Sequence, residues 1–301
     1  MLLIPRRRGW ELPERLATPE ALVLGRRSVL AGAGSIGLAA TAPTRNDKYA
    51  PGRDITPEKY ATTYNNYYEF SESKNLWKEA QVLKQRPWTI SLDGMLKQPR
   101  TIDIDDLLAQ VQLEERMYRH RCVEAWAMTV PWTGFPLSQL LSMAEPLGSA
   151  KYIVFETAQD PKMPGLQSPF YPWPYIEGLA LDEAANELAF ISTGMYGKPL
   201  PPQDGGPIRL TVPWKYGFKS AKAVVKISFT DKRPMNFWQS IQPAEYGFWA
   251  NVNPDVSHPR WSQAHERLLG GNEMVPTLIY NGYGEFVASL YTDRKNEKLF
   301  M

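Results

Sequence analysis

Cysteine and histidine are scarce in this sequence of 301 residues, which contains one cysteine and three histidines. The single cysteine, Cys122, excludes an intrachain disulfide, a Cys-x-x-Cys redox pair, a cysteine-rich zinc site, a protein-held iron–sulfur cluster and a c-type haem attachment. The histidines, His120, His258 and His265, have no spacing typical of metal ligands. We expect His258 and His265 to be structural, whereas His120 lies close in sequence to the cysteine.

The charge balance and the hydrophobic runs exclude two further classes of protein. The formal net charge is +2, with 22% charged residues, and gives no support for a nucleic-acid-binding surface. No stretch after residue 42 approaches the roughly 18 to 20 apolar residues that a membrane-spanning helix needs. Aromatic residues and proline are abundant instead, with ten Trp, fifteen Tyr and 26 Pro. This composition indicates a loop-rich globular protein with aromatic-lined clefts.

Residues 1–42 have the layout of a twin-arginine signal peptide. Arg26 and Arg27 precede a weakly apolar run, 29–42, which is rich in Gly and Ala and too short to span a membrane. Such a signal directs a folded protein to the periplasm through the twin-arginine export machinery; the alternative is a basic arm that is not exported. Residues 32–37 match G-x-G-x-x-G, but no strand precedes them and no βαβ pattern follows, which argues against a dinucleotide site.

After this leader, the sequence predicts a polar linker over 43–59 and then a mixed α and β fold of the α+β class, with short strands, short helices and long loops. Alternating apolar residues bounded by turn signals predict strands, and apolar residues that share one face predict helices. Asp103 is the expected N-cap of one helix. The predicted strands are 88–92, 152–155, 208–212, 223–229 and a hairpin of 275–280 with 286–291, and the predicted helices are 103–111, 136–143, 182–185 and 262–269.

Cys122 lies in a cationic and aromatic segment, 118–126, which continues to a proline at position 131 that is expected to interrupt it. Arg119, His120 and Arg121 precede the thiol, and Glu124 follows it. Cationic neighbours favour the thiolate, which is the form that attacks electrophiles and binds soft metals. The alternative is an inert buried cysteine that packs like a small hydrophobic residue.

A second set of residues with binding potential lies between 196 and 222. Arg209, Lys215, Lys219 and Lys222 are predicted at two adjacent strand ends, near glycine-containing loops whose N–H groups can approach an anion. We interpret them as a phosphate-binding set, with a solvated basic hairpin as the alternative. The Walker spacing is absent, so a nucleoside triphosphate is not expected. Residues 64–70, which carry two amides and three tyrosines, are either a surface loop or the wall of a pocket for a large polar ligand.

A soft thiolate without a second soft protein ligand suits a metal whose other ligands come from a cofactor. Eight sequence blocks, in one order along the chain, share a pattern: 65–70, 113–116, 121–126, 130–137, 196–198, 212–219, 245–254 and 258–264. These blocks resemble one known family, the periplasmic catalytic subunits of bacterial protein-methionine-sulfoxide reductases, which are molybdopterin-dependent enzymes with the sulfite-oxidase fold. The resemblance extends over about 60–292 and implies one molybdopterin-binding catalytic domain at 60–301.

The resemblance implies that Cys122 is the thiolate ligand of the molybdenum in a Mo-molybdopterin cofactor, with Glu124 near the open side of the metal. Two departures from the family pattern are present: Asp204 stands where an asparagine is expected, and the loop after Thr157 is shorter than usual. The cofactor-binding residues implied by the resemblance are Asn65, Tyr68, Glu69, Thr157, Asp204, Arg209, Ser220, Ala221 and Lys222.

The activity implied by the resemblance is the reduction of methionine sulfoxide residues in envelope proteins, by oxygen-atom transfer to the metal. A membrane haem b subunit of MsrQ type would supply the electrons, and oxidised periplasmic proteins would be the substrates. A shallow aromatic mouth would suit a substrate carried on a protein. Its expected members are Trp126, Tyr171, Trp173, Tyr246 and Trp249.

Three alternatives to this function stay open at the level of sequence. One is a molybdenum enzyme that reduces small S- or N-oxides or oxidises sulfite, for which Arg119 and Arg121 would have to converge on the metal. Another is a cysteine-nucleophile hydrolase or a thiol reductase, which needs a partner histidine or a second cysteine. The last is a non-catalytic envelope protein that binds a ligand in an aromatic cleft.

Overall fold

The computed structural model describes residues 43–271 and 273–300, which contain thirteen β-strands and six short α-helices. The predicted signal peptide, with the glycine motif inside it, lies outside the described residues. None of the described helices is both long and apolar enough to cross a membrane. The strands are β1 Thr44–Asn46, β2 Thr89–Gly94, β3 Arg100–Asp103, β4 Glu114–Arg121, β5 Trp126–Pro136, β6 Tyr152–Thr157, β7 Ile176–Ala180, β8 Phe190–Met195, β9 Lys198–Pro199, β10 Arg209–Thr211, β11 Val224–Thr230, β12 His265–Leu268 and β13 Met274–Pro276. The helices are α1 Glu58–Ala61, α2 Ile104–Gln110, α3 Leu137–Ala144, α4 Leu181–Ala185, α5 Phe237–Ile241 and α6 Gly284–Val287.

Eight strands form a mixed sheet around the long hairpin of β4 and β5. The two strands pair antiparallel, from Glu114 opposite Gly134 to Arg121 opposite Ala127. The sheet continues from β4 to β1 and from β5 to β12 and β13, and β8 joins β5 to β9 and β10. The pairs β1–β4 and β5–β12 are parallel, so the sheet is neither purely parallel nor purely antiparallel.

Five strands form a second sheet in the order β3-β2-β11-β6-β7. Strands β2 and β11 are parallel, and the other neighbours are antiparallel. On β6, buried Ile153 and Phe155 alternate with more exposed Tyr152 and Val154. This is the period-two pattern from which the strand at 152–155 is predicted.

The short helices begin at positions that the sequence partly indicates. The carboxylate of Asp103 accepts a hydrogen bond from the backbone N–H of Asp105 at 2.8 Å, and α2 begins at the next residue, as predicted. The helix buries Ile104 and Leu107 and leaves its polar face outward. Helices α3 and α4 likewise lie within one or two residues of the predicted 136–143 and 182–185.

The hairpin of β4 and β5 is anchored in the hydrophobic core that both sheets share. Tyr118, Trp132 and Phe135 have no solvent exposure. The proline expected to interrupt the segment does not, because β5 continues through Pro131, which lies opposite Met117 and one residue outside the β5–β8 ladder. Its missing N–H therefore removes no ladder bond on that side.

Two predicted elements near the C-terminus are wrong. Residues 262–269, predicted as a helix, contain the strand β12, which pairs with β5 and β13. The local helical pattern is outweighed by a contact distant in sequence, since Glu266 on β12 is fully buried against Arg121. The predicted hairpin 275–291 is mostly helical instead, with a 3-10 turn at Ile279–Gly282, the helix α6 and a 3-10 turn at Ala288–Tyr291.

The segment 43–59, predicted as an irregular linker, contains β1 and a 3-10 turn at Asp47–Tyr49. Strand β1 pairs in parallel with the start of β4, and the ring of Tyr49 lies 4.5 Å from the guanidinium of Arg116. The chain is therefore attached to the first sheet from Thr44 onward. The predicted limits of the signal peptide and of the catalytic domain stay predictions.

Candidate functional site: a cavity around Cys122

Cys122 begins the tight turn that joins β4 to β5. The backbone N–H of Cys122 donates to the carbonyl of Trp126 at 2.9 Å, and that of Ala125 donates to the carbonyl of Cys122 at 3.1 Å. Ala125 has a positive φ of 61°, which this four-residue turn requires to reverse the chain. The thiol is thus presented at the end of the most extensively paired hairpin of the fold.

Side chains from the second half of the chain hold this turn in place. The guanidinium of Arg121 donates to the carbonyl of Cys122 and lies 2.7 Å from Glu266, and both side chains are fully buried. Trp261 Nε1 and Gln263 Nε2 each donate to the carbonyl of Val123 at 2.8 Å. The two peptide groups that follow Cys122 therefore have fixed orientations.

The thiol faces a cavity with an empty volume of about 820 Å³, the solvent at its opening included. Ten of the eleven residues that the sequence analysis names as catalytic or cofactor-binding line it. The eleventh, Thr157, lies behind the wall, where its hydroxyl donates to Glu69 at 3.0 Å. The ten lining residues are Asn65, Tyr68, Glu69, Cys122, Glu124, Asp204, Arg209, Ser220, Ala221 and Lys222.

The environment of the thiol differs from the cationic one that the sequence predicts. Burial, and next the charge of Glu124, raise the pKa of Cys122 to about 12. The neighbouring cations do not compensate because Arg121 is paired with Glu266, and Arg119 donates to the carbonyls of Asn281 and Pro51. A thiol that coordinates a metal is deprotonated outright, so this burial suits a metal ligand better than a free nucleophile.

Glu124 lies at the centre of a polar network beside the thiol. Its carboxylate accepts hydrogen bonds from Lys74 at 2.8 Å, from Asn66 at 3.2 Å and from the indole of Trp126 at 3.2 Å. Partial burial would raise the pKa of Glu124, but the hydrogen bond and charge of Lys74, together with the hydrogen bonds from Asn66 and Trp126, hold the pKa below its usual range. Glu124 is therefore an anion with a defined orientation.

The inner end of the cavity combines two cations, Arg209 and Lys222, with buried polar atoms that have no partner among the described residues. Burial raises the pKa of Asp204 to about 7, although the charges of Arg209 and Lys222 act in the opposite direction. The amide of Asn65 donates to one carboxylate oxygen of Asp204 at 2.7 Å. The other carboxylate oxygen, Asn65 Oδ1 and the hydroxyl of Tyr67 are buried and accept or donate no hydrogen bond within residues 43–271 and 273–300. Unpaired buried polar atoms are costly, which points to a ligand that completes them.

Lys215 and Lys219, which the sequence groups with Arg209 and Lys222, do not reach the cavity. The ammonium of Lys215 lies 2.5 Å from Glu183, and that of Lys219 lies 2.6 Å from Glu177. All four of these side chains are fully buried. These two lysines are structural, so the prediction of a four-cation set is wrong.

The predicted aromatic mouth is partly present. A second cavity opens outward from the first, and Tyr68, Glu124, Trp238 and Tyr246 line both cavities. Of the expected members, Tyr171 and Tyr246 line the outer cavity and Trp126 lines the inner one. Trp173 lies behind them, stacked on Phe237 at 5.0 Å.

The prediction that Trp249 belongs to the aromatic mouth is wrong. It is buried elsewhere, with the guanidinium of Arg294 4.5 Å from its ring. The structure instead adds Trp238, Arg260 and Trp261 to the mouth. Sequence reasoning missed Trp238 and Arg260 because nothing in their local pattern distinguishes a cleft residue from a surface one.

The histidines are arranged largely as predicted. His120 lines the inner cavity, where burial and then the charges of Arg209 and Lys222 hold its pKa well below its usual range, so the imidazole is neutral. Gly217 makes room for it, since a Cβ there would lie 2.4 Å from His120 Nε2. His258 stacks on Trp261 at 3.9 Å, and His265 is exposed on β12.

One cavity thus holds a thiol, the buried guanidinium of Arg209, the half-buried side chain of Lys222 and several polar atoms that have no hydrogen-bond partner in the described part of the chain. This set of donors fits a large organic group with an anionic part that carries a metal. Residues 78–238 match the family model described as "Oxidoreductase molybdopterin binding domain". The protein-methionine-sulfoxide reductase catalytic subunit MsrP of Burkholderia mallei is 44% identical, over 97% of this chain and 96% of the relative.

This chain belongs to the MsrP family. Among solved structures, the sulfane dehydrogenase SoxCD of Paracoccus pantotrophus is similar to 73% of this chain and 59% of its own, with 15% identity and a TM-score of 0.45. Membership of the MsrP family confirms the predicted fold class, a mixed α and β molybdopterin-binding fold with short helices. It also confirms the predicted enzyme class, an oxidoreductase, and the predicted cofactor, Mo-molybdopterin.

Proposed function

We propose that this protein is a molybdenum-dependent reductase of methionine sulfoxide residues in envelope proteins, with Cys122 as the protein ligand of the metal. The observation that carries the proposal is the position of the only cysteine, which lies in one cavity with nine other residues implied by the family pattern. The relative from Burkholderia mallei is a protein-methionine-sulfoxide reductase catalytic subunit, which supports the substrate class.

Different residues of the cavity would hold the metal end and the anionic end of a Mo-molybdopterin cofactor. Cys122 would ligate the metal at the outer end, where the turn carbonyls are fixed by Arg121 and Gln263. Arg209, which is buried, and Lys222, which is half-buried, would hold the anionic end, together with the loop at 220–222. The unpaired oxygens of Asn65 and Asp204 would accept hydrogen bonds from the N–H groups of a pterin.

When bound, the molybdenum centre supplies oxygen-atom transfer from the sulfoxide, which consumes two electrons and two protons and yields a thioether and water. The chain's own residues bind and orient the substrate. Glu124 lies where the outer cavity meets the inner one, so a sulfoxide side chain must pass its carboxylate. Tyr68, Trp238 and Tyr246 line the same passage, and aromatic rings make favourable contacts with the sulfur of methionine.

The electron donor, the location and the substrates belong to the same proposal. A membrane haem b subunit of MsrQ type, which the family resemblance implies, would deliver the electrons. The lack of a haem-attachment motif and of a second cysteine in this sequence is compatible with such a donor. The twin-arginine pattern at 1–42 supports export of the folded protein to the periplasm. The substrates there would be oxidised periplasmic proteins.

Sulfite oxidation is the nearest alternative, and the arrangement of the two arginines that precede Cys122 argues against it. A sulfite site would gather arginines at the metal. Arg121 is engaged by Glu266, and Arg119 donates to the carbonyl of Asn281 at 3.1 Å, so neither faces the cavity. Parallel assays of sulfite oxidation, small S- and N-oxides and oxidised protein would separate these activities.

The two remaining alternatives are a cysteine nucleophile and a non-catalytic binding protein. A nucleophile needs a base beside it, whereas the thiol accepts its hydrogen bonds from Asn66 Nδ2 and Glu124 N, at 3.4 Å each. Activity in a metal-free preparation would favour the nucleophile. A binding protein would contain no metal and would keep its ligand affinity in the variant Cys122→Ser.

The deciding experiment measures molybdenum and pterin in the exported, purified protein and in Cys122→Ser. We expect stoichiometric molybdenum and a visible thiolate-to-metal charge-transfer band that the variant lacks, with reduction of methionine sulfoxide in the unmutated enzyme alone. Absence of molybdenum from protein matured in a host that makes the cofactor would refute the proposal. Retention of the band in Cys122→Ser would refute the assignment of the ligand.

A further inference from the structure

Lys74 lies beside the cavity without lining it. The backbone N–H of Asn65 donates to the carbonyl of Lys74 at 3.0 Å, so the loop 65–74 closes on itself and fixes the base of the lysine side chain. The side chain is 26% exposed, and its ammonium lies 2.8 Å from Glu124 Oε1. Nothing in the sequence distinguishes this lysine from the other surface lysines.

The ammonium of Lys74 has a second partner, the side-chain oxygen of Asn66. An amide carries an oxygen acceptor at one end and an NH₂ donor at the other, and an ammonium can only donate. Because Lys74 occupies the oxygen, the NH₂ end of Asn66 must turn away from it. That end donates to Cys122 Sγ at 3.4 Å and to Glu124 Oε2 at 3.2 Å.

We propose that Lys74 is a positioning residue for the metal site: it fixes the amide of Asn66 so that an N–H group faces the sulfur, and it holds Glu124 at the junction of the two cavities. The inference rests on the proposed function, since it gives Cys122 Sγ the role of metal ligand. Hydrogen bonds to a ligating sulfur tune the redox potential of a metal site. Lys74 therefore acts on the metal through Asn66, without touching substrate or cofactor.

The competing interpretation is an ordinary surface ion pair between Lys74 and Glu124. In that interpretation the positive charge of Lys74 acts on the sulfur directly, and its effect does not depend on Asn66. The two interpretations therefore differ in whether the effect of Lys74 on the sulfur requires the amide of Asn66. The pair Lys97–Glu145, at 2.7 Å on the exposed surface, is a matched control for a salt bridge with no such connection.

The test uses the loaded, full-length enzyme with the variants Lys74→Met, Lys74→Arg and Lys97→Met. For Lys74→Met we expect unchanged molybdenum and pterin content, a displaced thiolate charge-transfer band and a kcat lower by about 10- to 100-fold, as is usual when a partner of a metal ligand is lost. Lys74→Arg retains donors for both oxygens and should bring the band back toward its original position. Lys97→Met should match the unmutated enzyme.

Combining Lys74→Met with Asn66→Ala tests whether Lys74 acts on the sulfur through Asn66. In Asn66→Ala the amide is absent, so adding Lys74→Met should displace the band no further. An equal displacement by Lys74→Met with and without Asn66 would overturn the proposal, as would a band and kcat unchanged by Lys74→Met alone. If Lys74→Met yields no folded enzyme, Lys74→Gln decides by the same criteria. Absence of molybdenum from the unmutated protein overturns the proposed function as well, whereas metal with an unmoved band overturns only the role of Lys74.

Discussion

Arg121 Nε lies 2.7 Å from Glu266 Oε2, and neither side chain has any contact with solvent. The pair joins the end of β4 to β12, and Arg53 also binds the carboxylate of Glu266. The same guanidinium donates to the carbonyl of Cys122. A residue that the sequence places beside the thiol as an activating cation thus serves to fix the turn.

Removing the charge of Glu266 should destabilise the fold strongly. Glu266→Gln leaves Arg121 buried without a counter-ion, and breaking a buried pair in this way costs about 3–5 kcal/mol. Urea-induced unfolding of the cofactor-free protein measures the loss. The control is Glu145→Gln in the exposed pair with Lys97, which should change the free energy of unfolding by less than about 1 kcal/mol. Equal effects of the two variants would contradict this account of the turn.

Local sequence patterns predict those helices and strands that interactions between neighbouring residues determine. The cap at Asp103 and the alternation on β6 are of this kind, and both elements occur where expected. The strand β12 is different, because its conformation depends on pairing with β5, more than 130 residues earlier in the chain. Similarly, the Asn281-Gly282 turn does have positive φ angles, but the residues around it are helical instead of extended.

The candidate site likewise contains residues that the sequence predicts and residues whose role depends on the three-dimensional fold. Family resemblance brings together ten residues that line one cavity, although they come from loops up to about 160 positions apart. Charge alone misassigns Lys215 and Lys219, since only the fold shows that Glu183 and Glu177 are buried beside them. Lys74 is missed for the converse reason, because its contacts with Glu124 and Asn66 depend on how two distant loops meet.

Asp204 should make the cofactor-free protein less stable as the pH rises. Burial raises the pKa of its carboxyl from 3.8 to about 7. A carboxyl with a raised folded pKa carries no penalty below its unfolded pKa, and stability falls as the pH rises from about 4 through about 7. Asp204→Asn removes this penalty. The free energy of unfolding of the variant should therefore exceed that of the unmutated protein by a few kcal/mol at pH 8, since one pKa unit corresponds to about 1.4 kcal/mol.

The measurement is urea unfolding of both cofactor-free proteins between pH 5 and pH 8, and the difference between them isolates Asp204 from other titrating groups. Asn65, whose amide donates to the present carboxylate at 2.7 Å, keeps an acceptor in the variant. A difference that stays constant across this range would show that the carboxyl does not titrate there.

Lys222 should be required for full molybdenum and pterin content, whereas Lys226, a nearby lysine on the surface, should not. Lys222 lines the cavity with Arg209, and its ammonium donates to the carbonyl of Asn66 at 2.6 Å. Lys222→Met removes one of the two cations that line the cavity, so we expect less molybdenum and pterin per chain after purification. The control Lys226→Met removes a half-exposed lysine that pairs with Asp93 at 3.3 Å and should load normally. Equal loading of the two variants would mean that the anionic end is held without Lys222.

Trp238 should contribute to substrate recognition, whereas Trp249 should contribute only to the stability of the fold. Trp238 lines both cavities and lies 4.9 Å from Tyr68 and 5.4 Å from Tyr246, ring centre to ring centre. Trp238→Ala removes part of the passage that a sulfoxide side chain enters. Loss of one aromatic contact, worth about 0.5–1.5 kcal/mol, should raise KM for oxidised protein by roughly 2- to 10-fold and leave kcat nearly unchanged.

Trp249 provides the matched comparison, because it is buried against Arg294 and Tyr291 and lines neither cavity. Trp249→Phe should therefore lower the free energy of unfolding and leave KM unchanged. Steady-state kinetics on an oxidised protein and on a small soluble sulfoxide, beside urea unfolding, distinguish the two effects. A rise in KM with Trp249→Phe and none with Trp238→Ala would place the substrate entrance on another face. If Trp238→Ala raises KM for the protein substrate more than for the small sulfoxide, the outer cavity contacts the polypeptide around the oxidised methionine as well as its side chain.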